Sequence, residues 1–319
     1  MLLITCQPDY LFLFDEQKFI NNVYSNFIRP IRIYPYNQKD YIKYLKNNKN
    51  VWYWGACNNN KRIFIFHANL PEDPTNNTSK IISYIYKDNE LIDEIIEIDD
   101  LDFGIHEICI KENKIYILNT YWQNIIIYIL DENSNIIKES KSIIEPFKKA
   151  LSYKYKNFEI FNKYKDDLNE YRHINSIINH NSKWYICCPY VLSLLKDKNL
   201  CNKTKYSEIE IFDNNFNYIE KIILPHKGVH SLFFIDDTLL YLSFDFKLIY
   251  FDYKNKIVET EIELDIINNE NHWCRGINLI NNKYIFVGVN NLLQLIDNEK
   301  RKILSAYVTK GMICMITKI

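Results

Sequence analysis

Residues 104–133 read GIHEICIKENKIYILNTYWQNIIIYILDEN and decide the fold class. The stretch contains three short runs rich in Ile and Tyr, with polar residues between them, and the third run leads into an aspartate. β-branched and aromatic residues in short runs favour strands, and polar residues between the runs favour turns. The stretch therefore predicts an antiparallel sheet of short strands.

The same plan recurs three times downstream, in residues 171–188, 228–252 and 273–297. Each copy has His or Arg near its start, then an apolar strand, two turn residues and an aromatic-rich strand. Repeats of this size are typical of β-propeller blades, whereas the irregular spacing and the missing Trp-Asp signature argue against WD40 and Kelch arrays. The sequence predicts an all-β propeller.

Two further segments complete the predicted ring. Residues 27–35 (FIRPIRIYP) and 309–319 (TKGMICMITKI) have the pattern of innermost strands. Strands LLITC, YLFLF and KFINNVYSNF near the N-terminus are expected to pair with the C-terminal inner strand, because this pairing leaves no exposed edge at the closure. We predict a single propeller domain over residues 1–319, with six blades and with five or seven as alternatives.

One segment departs from the strand pattern. Helical periodicity is weak everywhere except in residues 142–170, which are expected to form an insertion, either a helix or a long loop.

Composition and glycine placement exclude several classes of function. Among 319 residues, 39 Lys and Arg balance 40 Asp and Glu, so the chain lacks the cationic surplus that nucleic-acid binders use. The six glycines are scattered, and neither a Walker-type nor a Rossmann phosphate loop is present. The expected partner is therefore not a nucleic acid.

The N-terminus and the cysteines indicate a compartment. The first residues lack a cationic segment, and their apolar run is interrupted by Gln7-Pro8-Asp9 before it reaches the length of a signal or a membrane span. The eight cysteines show no C-x-x-C motif and no compact disulfide framework. We expect a cytoplasmic protein without a membrane partner.

The predicted site lies where the innermost strands begin. These starts carry Arg29, His106, His173, His230, Arg275 and Lys310. Equivalent first-strand positions face the axis of a propeller, so these side chains are expected to form a ring at one end of the channel. Such a ring creates a positive potential that attracts a carboxylate, sulfate or phosphate.

Two kinds of chemistry suit this ring. His173 and His230 are candidate general acids and bases, and with His106 they are also candidate catalytic residues and ligands of a divalent metal ion. Arg29 and Arg275 are expected to hold a substrate anion. The remaining candidates are a carboxylate that orients His106 and polar contacts to the substrate: Glu107, Asn119, Thr120 and Asn175.

Short motifs in this order resemble a family of bacterial β-propeller proteins of unknown function. The matching residues are Thr5-Cys6-Gln7, Arg29-Pro30, Ile105-His106-Glu107 with Leu118-Asn119-Thr120, Arg172-His173-Ile174-Asn175-Ser176, Val229-His230-Ser231, and Cys274-Arg275-Gly276-Ile277 with Phe286-Val287-Gly288. The resemblance covers nearly the whole chain and implies a propeller with functional His and Arg positions, but it implies no activity. In the family pattern Asp stands in place of Glu107 and Gly in place of Ser176, and residues 71–80 have no counterpart.

The sequence leaves two functions open. The first is an enzyme of lyase or hydrolase type that acts on an anionic small molecule or saccharide at the axial ring, with a metal ion as a candidate cofactor. The second is a non-catalytic propeller that binds a glycan or a protein partner. The enzyme hypothesis predicts that the histidines converge on one point and that at least one has a perturbed pKa.

Overall fold

The computed structural model is a six-bladed β-propeller in which every blade is a four-stranded antiparallel sheet. It describes residues 1–7, 10–21, 32–34, 51–69, 79–101, 104–120, 123–146, 173–189, 206–267, 274–309 and 312–319. The predicted all-β class and the predicted number of blades are confirmed. In this part of the chain, no helix combines the length and the apolar character needed to cross a membrane.

Blades 1 to 3 follow one another along the chain. Blade 1 consists of β4 (Val51–Asn58), β5 (Ile63–Asn69), β6 (Ser79–Lys87) and β7 (Glu90–Leu101). Blade 2 consists of β8 (Ile105–Lys111), β9 (Lys114–Asn119), β10 (Asn124–Leu130) and β11 (Ile136–Ile144). Blade 3 consists of β12 (Ser176–His180), β13 (Lys183–Cys188), β14 (Ser207–Phe212) and β15 (Tyr218–Leu224).

Blades 4 to 6 complete the ring. Blade 4 consists of β16 (His230–Ile235), β17 (Thr238–Ser243), β18 (Lys247–Asp252) and β19 (Ile257–Glu263). Blade 5 consists of β20 (Cys274–Ile280), β21 (Tyr284–Val289), β22 (Leu292–Asp297) and β23 (Lys302–Val308). Blade 6 consists of β24 (Met312–Lys318), β1 (Leu2–Gln7), β2 (Tyr10–Phe14) and β3 (Arg32–Tyr34), and α1 (Glu16–Asn21) lies between β2 and β3.

The two ends of the chain close the ring within blade 6. β24 pairs antiparallel with β1, and Ile4 lies opposite Ile316 in this pair. Thr317 Oγ1 donates a hydrogen bond to the carbonyl of Ala56 in blade 1, at 3.0 Å. The predicted closure by N-terminal strands on the C-terminal inner strand is confirmed.

Two predictions near the N-terminus were wrong in the part that the structure describes. Residues 32–34 of the expected innermost strand 27–35 form β3, which pairs with β2 as the outermost strand of blade 6. Residues 18–21 of KFINNVYSNF belong to α1 rather than to a strand. The innermost strand of blade 1 is instead β4, whose only partner within its own sheet is β5. The apolar VWYWGAC therefore begins this blade.

The expected insertion is shorter than predicted at its start. β11 continues to Ile144, so residues 142–144 are part of a strand. Residues 147–170 lie outside the described residues.

Large aromatic residues fill the spaces between blades. Trp184 of blade 3 is buried, and its ring lies 4.4 Å from that of Tyr116 in blade 2. Phe216, from the turn after β14, stacks on Trp184 at 5.1 Å. Because each sheet packs on the next through contacts of this kind, the innermost strands are held around one axis.

Candidate axial His/Arg site

Irregular pairing marks the beginning of several innermost strands. The pairing register shifts between Tyr53 and Gly55, Ile105 and Glu107, His230 and Phe233, and Arg275 and Ile277. A bulge of this kind bends the strand and changes the direction of nearby side chains, and bulges are frequent next to active sites. The site residues therefore lie where the sheet ladder is locally broken.

Arg275 lies at the centre of the candidate site. Its Nη2 atom is 3.3 Å from Nδ1 of His106 and 3.5 Å from Nε2 of His230. All three side chains are buried, with exposed fractions of 4% for Arg275 and 5% for each histidine. The structure thus brings together residues of blades 2, 4 and 5, and we call them, with His173, the axial cluster.

His173 completes the cluster at the entrance to blade 3. Its ring meets that of His106 at 5.1 Å with an interplanar angle of 89°. It is only half-buried, and its backbone has a left-handed φ of 51°. Histidine adopts this conformation more readily than most residues other than glycine.

The hydrogen bonds fix the tautomers of His106 and His230. A guanidinium can only donate, so His106 Nδ1 and His230 Nε2 must accept from Arg275. His230 Nδ1 lies 2.8 Å from the carbonyl oxygen of Gly228, which can only accept. His230 therefore carries its proton on Nδ1, and neutral His106 carries its proton on Nε2.

The environment keeps these two imidazoles neutral. Burial lowers the pKa of His106 well below its ordinary value, and the positive charge of Arg275 lowers it further. Burial, followed by the charge of Arg275, likewise lowers the pKa of His230, although the bond to Gly228 opposes this shift. Among Arg275, His106 and His230, the positive charge is thus carried by Arg275.

Glu107 connects blade 2 to blade 3. Its Oε2 accepts a hydrogen bond from the backbone N–H of Ile177 at 2.9 Å, and its carboxylate is also hydrogen-bonded by Ser176. Burial raises the pKa of Glu107 to about 7, while these two bonds and the charge of Arg275 oppose the rise. Its predicted role in orienting His106 stays a prediction.

Serine side chains continue this connection around the ring. Ser176 Oγ accepts from the N–H of Leu232 at 3.0 Å, and Ser231 Oγ accepts from the N–H of Gly276 at 2.8 Å. Each bond joins the innermost strands of neighbouring blades. The backbone positions of the axial cluster are therefore set by bonds that the sequence motifs did not reveal.

The predicted polar contacts are also buried between blades. Thr120 Oγ1 donates to the carbonyl of Ile174 at 2.6 Å, and Asn175 Nδ2 donates to the carbonyl of Val229 at 3.0 Å. Asn119 is 1% exposed and pairs with Asn124 in the sheet of blade 2. The recorded bonds of Thr120 and Asn175 thus stabilise the ring, and a substrate contact by any of the three stays a prediction.

The structure does not describe two of the predicted site residues. Arg29 and Lys310 lie outside the described residues. Within the described ranges, no three His, Cys, Asp or Glu side chains are grouped so that they could hold a metal ion. His106 and His230 are unsuited to bind a metal ion, because the nitrogen lone pairs that would bind it point at Arg275. The predicted metal role of His106, His173 and His230 is therefore not supported.

Phe244 is a neighbour of the cluster that the sequence analysis missed. Its ring lies 5.4 Å from that of His230. Gly228 has a φ of +59°, and a Cβ atom at this position would lie 2.1 Å from Cδ2 of Phe244. The glycine thus gives room for the aromatic ring that packs on His230. The position of Gly228 just before a blade start was a signal available in the sequence, but it does not show which side chain packs against the glycine.

The fold and the site define a six-bladed propeller with a buried His/Arg cluster on its axis. No protein-family model matches the chain, and no curated protein does so. A crystal structure of a protein of unknown function from Bacteroides caccae matches with 12% identity and a TM-score of 0.56, covering 99% of this chain and 97% of that one. A chain from the nidogen/laminin complex matches with 9% identity and a TM-score of 0.58 over the same shares.

These similarities support the fold alone. The first neighbour agrees with the resemblance to bacterial propellers of unknown function only at this level, because the sequence identity is low. The motif-based family stays a prediction.

Proposed function

We propose that the axial cluster binds the carboxylate of a small acidic molecule or saccharide, with Arg275 as the anion-binding residue. The observation that carries this proposal is the convergence of His106 and His230 on the buried guanidinium at 3.3 and 3.5 Å. A fixed positive charge among buried side chains attracts anions strongly, even on a chain with a net charge of −1. Arginine also matches the planar geometry of a carboxylate.

The position of His173 beside His106 supports the further proposal that the axial cluster is the active site of a lyase. His173 is half-buried and adjoins His106, so it is the histidine placed to exchange a proton with a bound ligand. In an acidic saccharide, His173 would accept the proton beside the carboxylate, the C–H electron pair would form a C=C bond, and the glycosidic C–O bond would break. The leaving oxygen takes its proton from water, and Arg275 stabilises the charge that develops on the carboxylate.

Calorimetric titration with D-glucuronate tests the binding step. We compare the wild-type chain with Arg275→Met, Arg275→Lys and the control Arg301→Met, whose arginine lies over the Tyr250 ring in blade 5. Loss of a charge-assisted hydrogen bond is expected to weaken binding about 10- to 100-fold in Arg275→Met. Arg275→Lys should keep part of the affinity, and Arg301→Met should keep all of it.

Two results would contradict this proposal. One is the absence of glucuronate binding to the wild-type chain, and the other is equal affinity in wild type and Arg275→Met. Thermal unfolding of each variant verifies that it is folded. A separate assay follows the formation of unsaturated products from uronate oligosaccharides, and His173→Asn should abolish that turnover while it retains glucuronate binding. Binding without turnover in the wild type would favour the non-catalytic alternative.

A further inference from the structure

A second concave site lies between blades 2 and 3. It has a volume of about 320 Å³, which falls within the range of small-molecule sites. We call it the lateral groove, and its walls include Lys114, Tyr116, Ile127, Ile129, Ser142 and Phe216. Lys114 begins β9, directly after the turn at the end of β8 that lies away from His106. The lateral groove is therefore at the opposite end of the blades from the axial cluster.

Aromatic packing forms the floor of the lateral groove. The rings of Tyr116 and Phe216 lie 4.4 and 5.1 Å from the ring of Trp184. Phe216 has a left-handed φ of 61°, which is uncommon for a bulky residue. The turns after the third strands of blades 2, 4 and 5 place polar residues in this conformation: Ser134, Lys256 and Arg301. Blade 3 thus differs from these blades by directing an aromatic ring toward Tyr116 of blade 2.

The polar groups at the rim of the lateral groove are available to a ligand. Lys114 is the one charged side chain among the described residues that line it, and it forms no ion pair within the part of the chain that the structure describes. Ser142 is exposed on β11, and its hydroxyl likewise has no partner among the described residues. An apolar floor with a few polar groups is typical of ligand sites. The single positive charge favours an anionic group.

The outer strand of blade 2 argues against a peptide strand as the occupant. The pairing of β10 with β11 shifts between Ile127 and Ile129. Ser140 Oγ accepts from the N–H of Ile129 at 2.8 Å and donates to the carbonyl of Ile137 at 2.6 Å. Such irregularities protect an edge strand from pairing with another chain. The lateral groove therefore suits a small molecule rather than an added strand.

We propose that the lateral groove is a second binding site, for a small amphipathic anion with a flat apolar body and a carboxylate or sulfonate group. The apolar body packs on Tyr116, Ile129 and Phe216, and the anionic group lies at Lys114. Burial of apolar surface supplies most of the binding free energy, whereas an exposed lysine–anion pair contributes little and sets the orientation of the ligand. This site is separate from the axial cluster and does not depend on the function proposed for it.

Two dyes with the same ring system are suitable probes. Anilinonaphthalene sulfonate carries an anionic group, and phenylnaphthylamine lacks it. The fluorescence of both dyes rises in apolar surroundings, so titration of the wild-type chain should show one saturable site for each. A saturating concentration of D-glucuronate should displace neither dye, because glucuronate is the ligand proposed for the axial cluster.

Four variants locate the site and its charge. Ile129→Asp removes apolar surface and adds a negative charge, so it should weaken the binding of both dyes at least about tenfold. Ile257→Asp makes the same change at another exposed isoleucine, on β19 of blade 4, and should retain the wild-type affinity. Lys114→Met should weaken the sulfonate dye about two- to fivefold and leave phenylnaphthylamine unchanged. Lys183→Met, at the first residue of β13 as Lys114 is of β9, should change neither affinity.

Several results would overturn the proposal. These are the absence of sulfonate-dye binding to the wild-type chain, equal dye affinities in wild type and folded Ile129→Asp, and equal effects of Lys114→Met and Lys183→Met. Displacement of the dye by glucuronate would also overturn it, since the dye would then occupy the axial cluster.

Thermal unfolding verifies that each variant is folded. If Ile129→Asp fails to fold, Ser142→Glu introduces a carboxylate at an exposed position of the same groove. This variant should weaken the sulfonate dye about two- to fivefold, and an unchanged affinity would contradict the proposal.

Discussion

Glu107→Gln tests how the connection between blades 2 and 3 depends on pH. Burial raises the pKa of Glu107 from 4.5 to about 7. The native chain therefore holds this proton up to a higher pH than the unfolded chain does, so the group lowers stability progressively as pH rises from 4.5 to 7. At 1.36 kcal/mol for each pKa unit, the full effect is about 3 kcal/mol. Glutamine resembles the protonated form and has no such dependence.

Urea unfolding followed by tryptophan fluorescence measures the effect. Between pH 5 and pH 8, the stability of Glu107→Gln relative to wild type should increase by about 2–3 kcal/mol. Glu139→Gln makes the same change on an exposed side chain of β11 and serves as the control. Parallel stability curves for wild type and Glu107→Gln would refute the reasoning, because a constant offset reflects packing and not ionisation.

Three further predictions concern the ring. Gly228→Ala should lower the free energy of unfolding in urea by about 2–4 kcal/mol, because alanine would combine a left-handed φ with a clash against Phe244. A smaller loss when Phe244 is also replaced by alanine would identify the clash. Burial lowers the pKa of His67 to about 3, so this side chain takes up a proton in the unfolded chain at a higher pH than in the native chain. Between pH 7 and pH 4.5, the free energy of unfolding should therefore fall by about 3 kcal/mol more in wild type than in His67→Gln. An equal fall in the two chains would contradict this. Ile4→Ala, in the strand pair that closes the ring, should lower the free energy of unfolding by about 2–5 kcal/mol. Ile257→Ala, at a side chain that is 54% exposed, should change it little, and similar losses in the two variants would argue against the closure.

The repeat pattern allowed the architecture to be predicted because it reflects the blades directly. His106, His230 and Arg275 occur at the same phase of the repeat, and the structure places them together at the axis. The same reasoning failed at residues 32–34, where Arg-Pro before an apolar run resembled a blade start. Pairing with β2 decided that strand's place, and pairing between distant residues is not visible in local composition.

The chemistry of the site was less predictable than its location. Three histidines in phase suggested a metal centre, but the direction of their lone pairs depends on rotations of single side chains. Arg275 turns those of His106 and His230 toward itself. The bulges that aim the inner-strand residues, and the serines that bind the next blade, involve one-residue shifts of register that no composition pattern encodes.

The C-terminal strand that closes the ring packs closely against the strands of blade 5 around Arg275. A Cβ atom at Gly288 would lie 2.4 Å from the carbonyl oxygen of Arg275 and 2.5 Å from Cγ2 of Ile313 in β24. At Gly276, which has a φ of +79°, a Cβ would lie 3.0 Å from the backbone nitrogen of Ile316. Two glycines thus let the C-terminal strand approach the backbone that carries Arg275. The strand pair that joins the chain ends therefore packs directly against the backbone on either side of the Arg275 side chain.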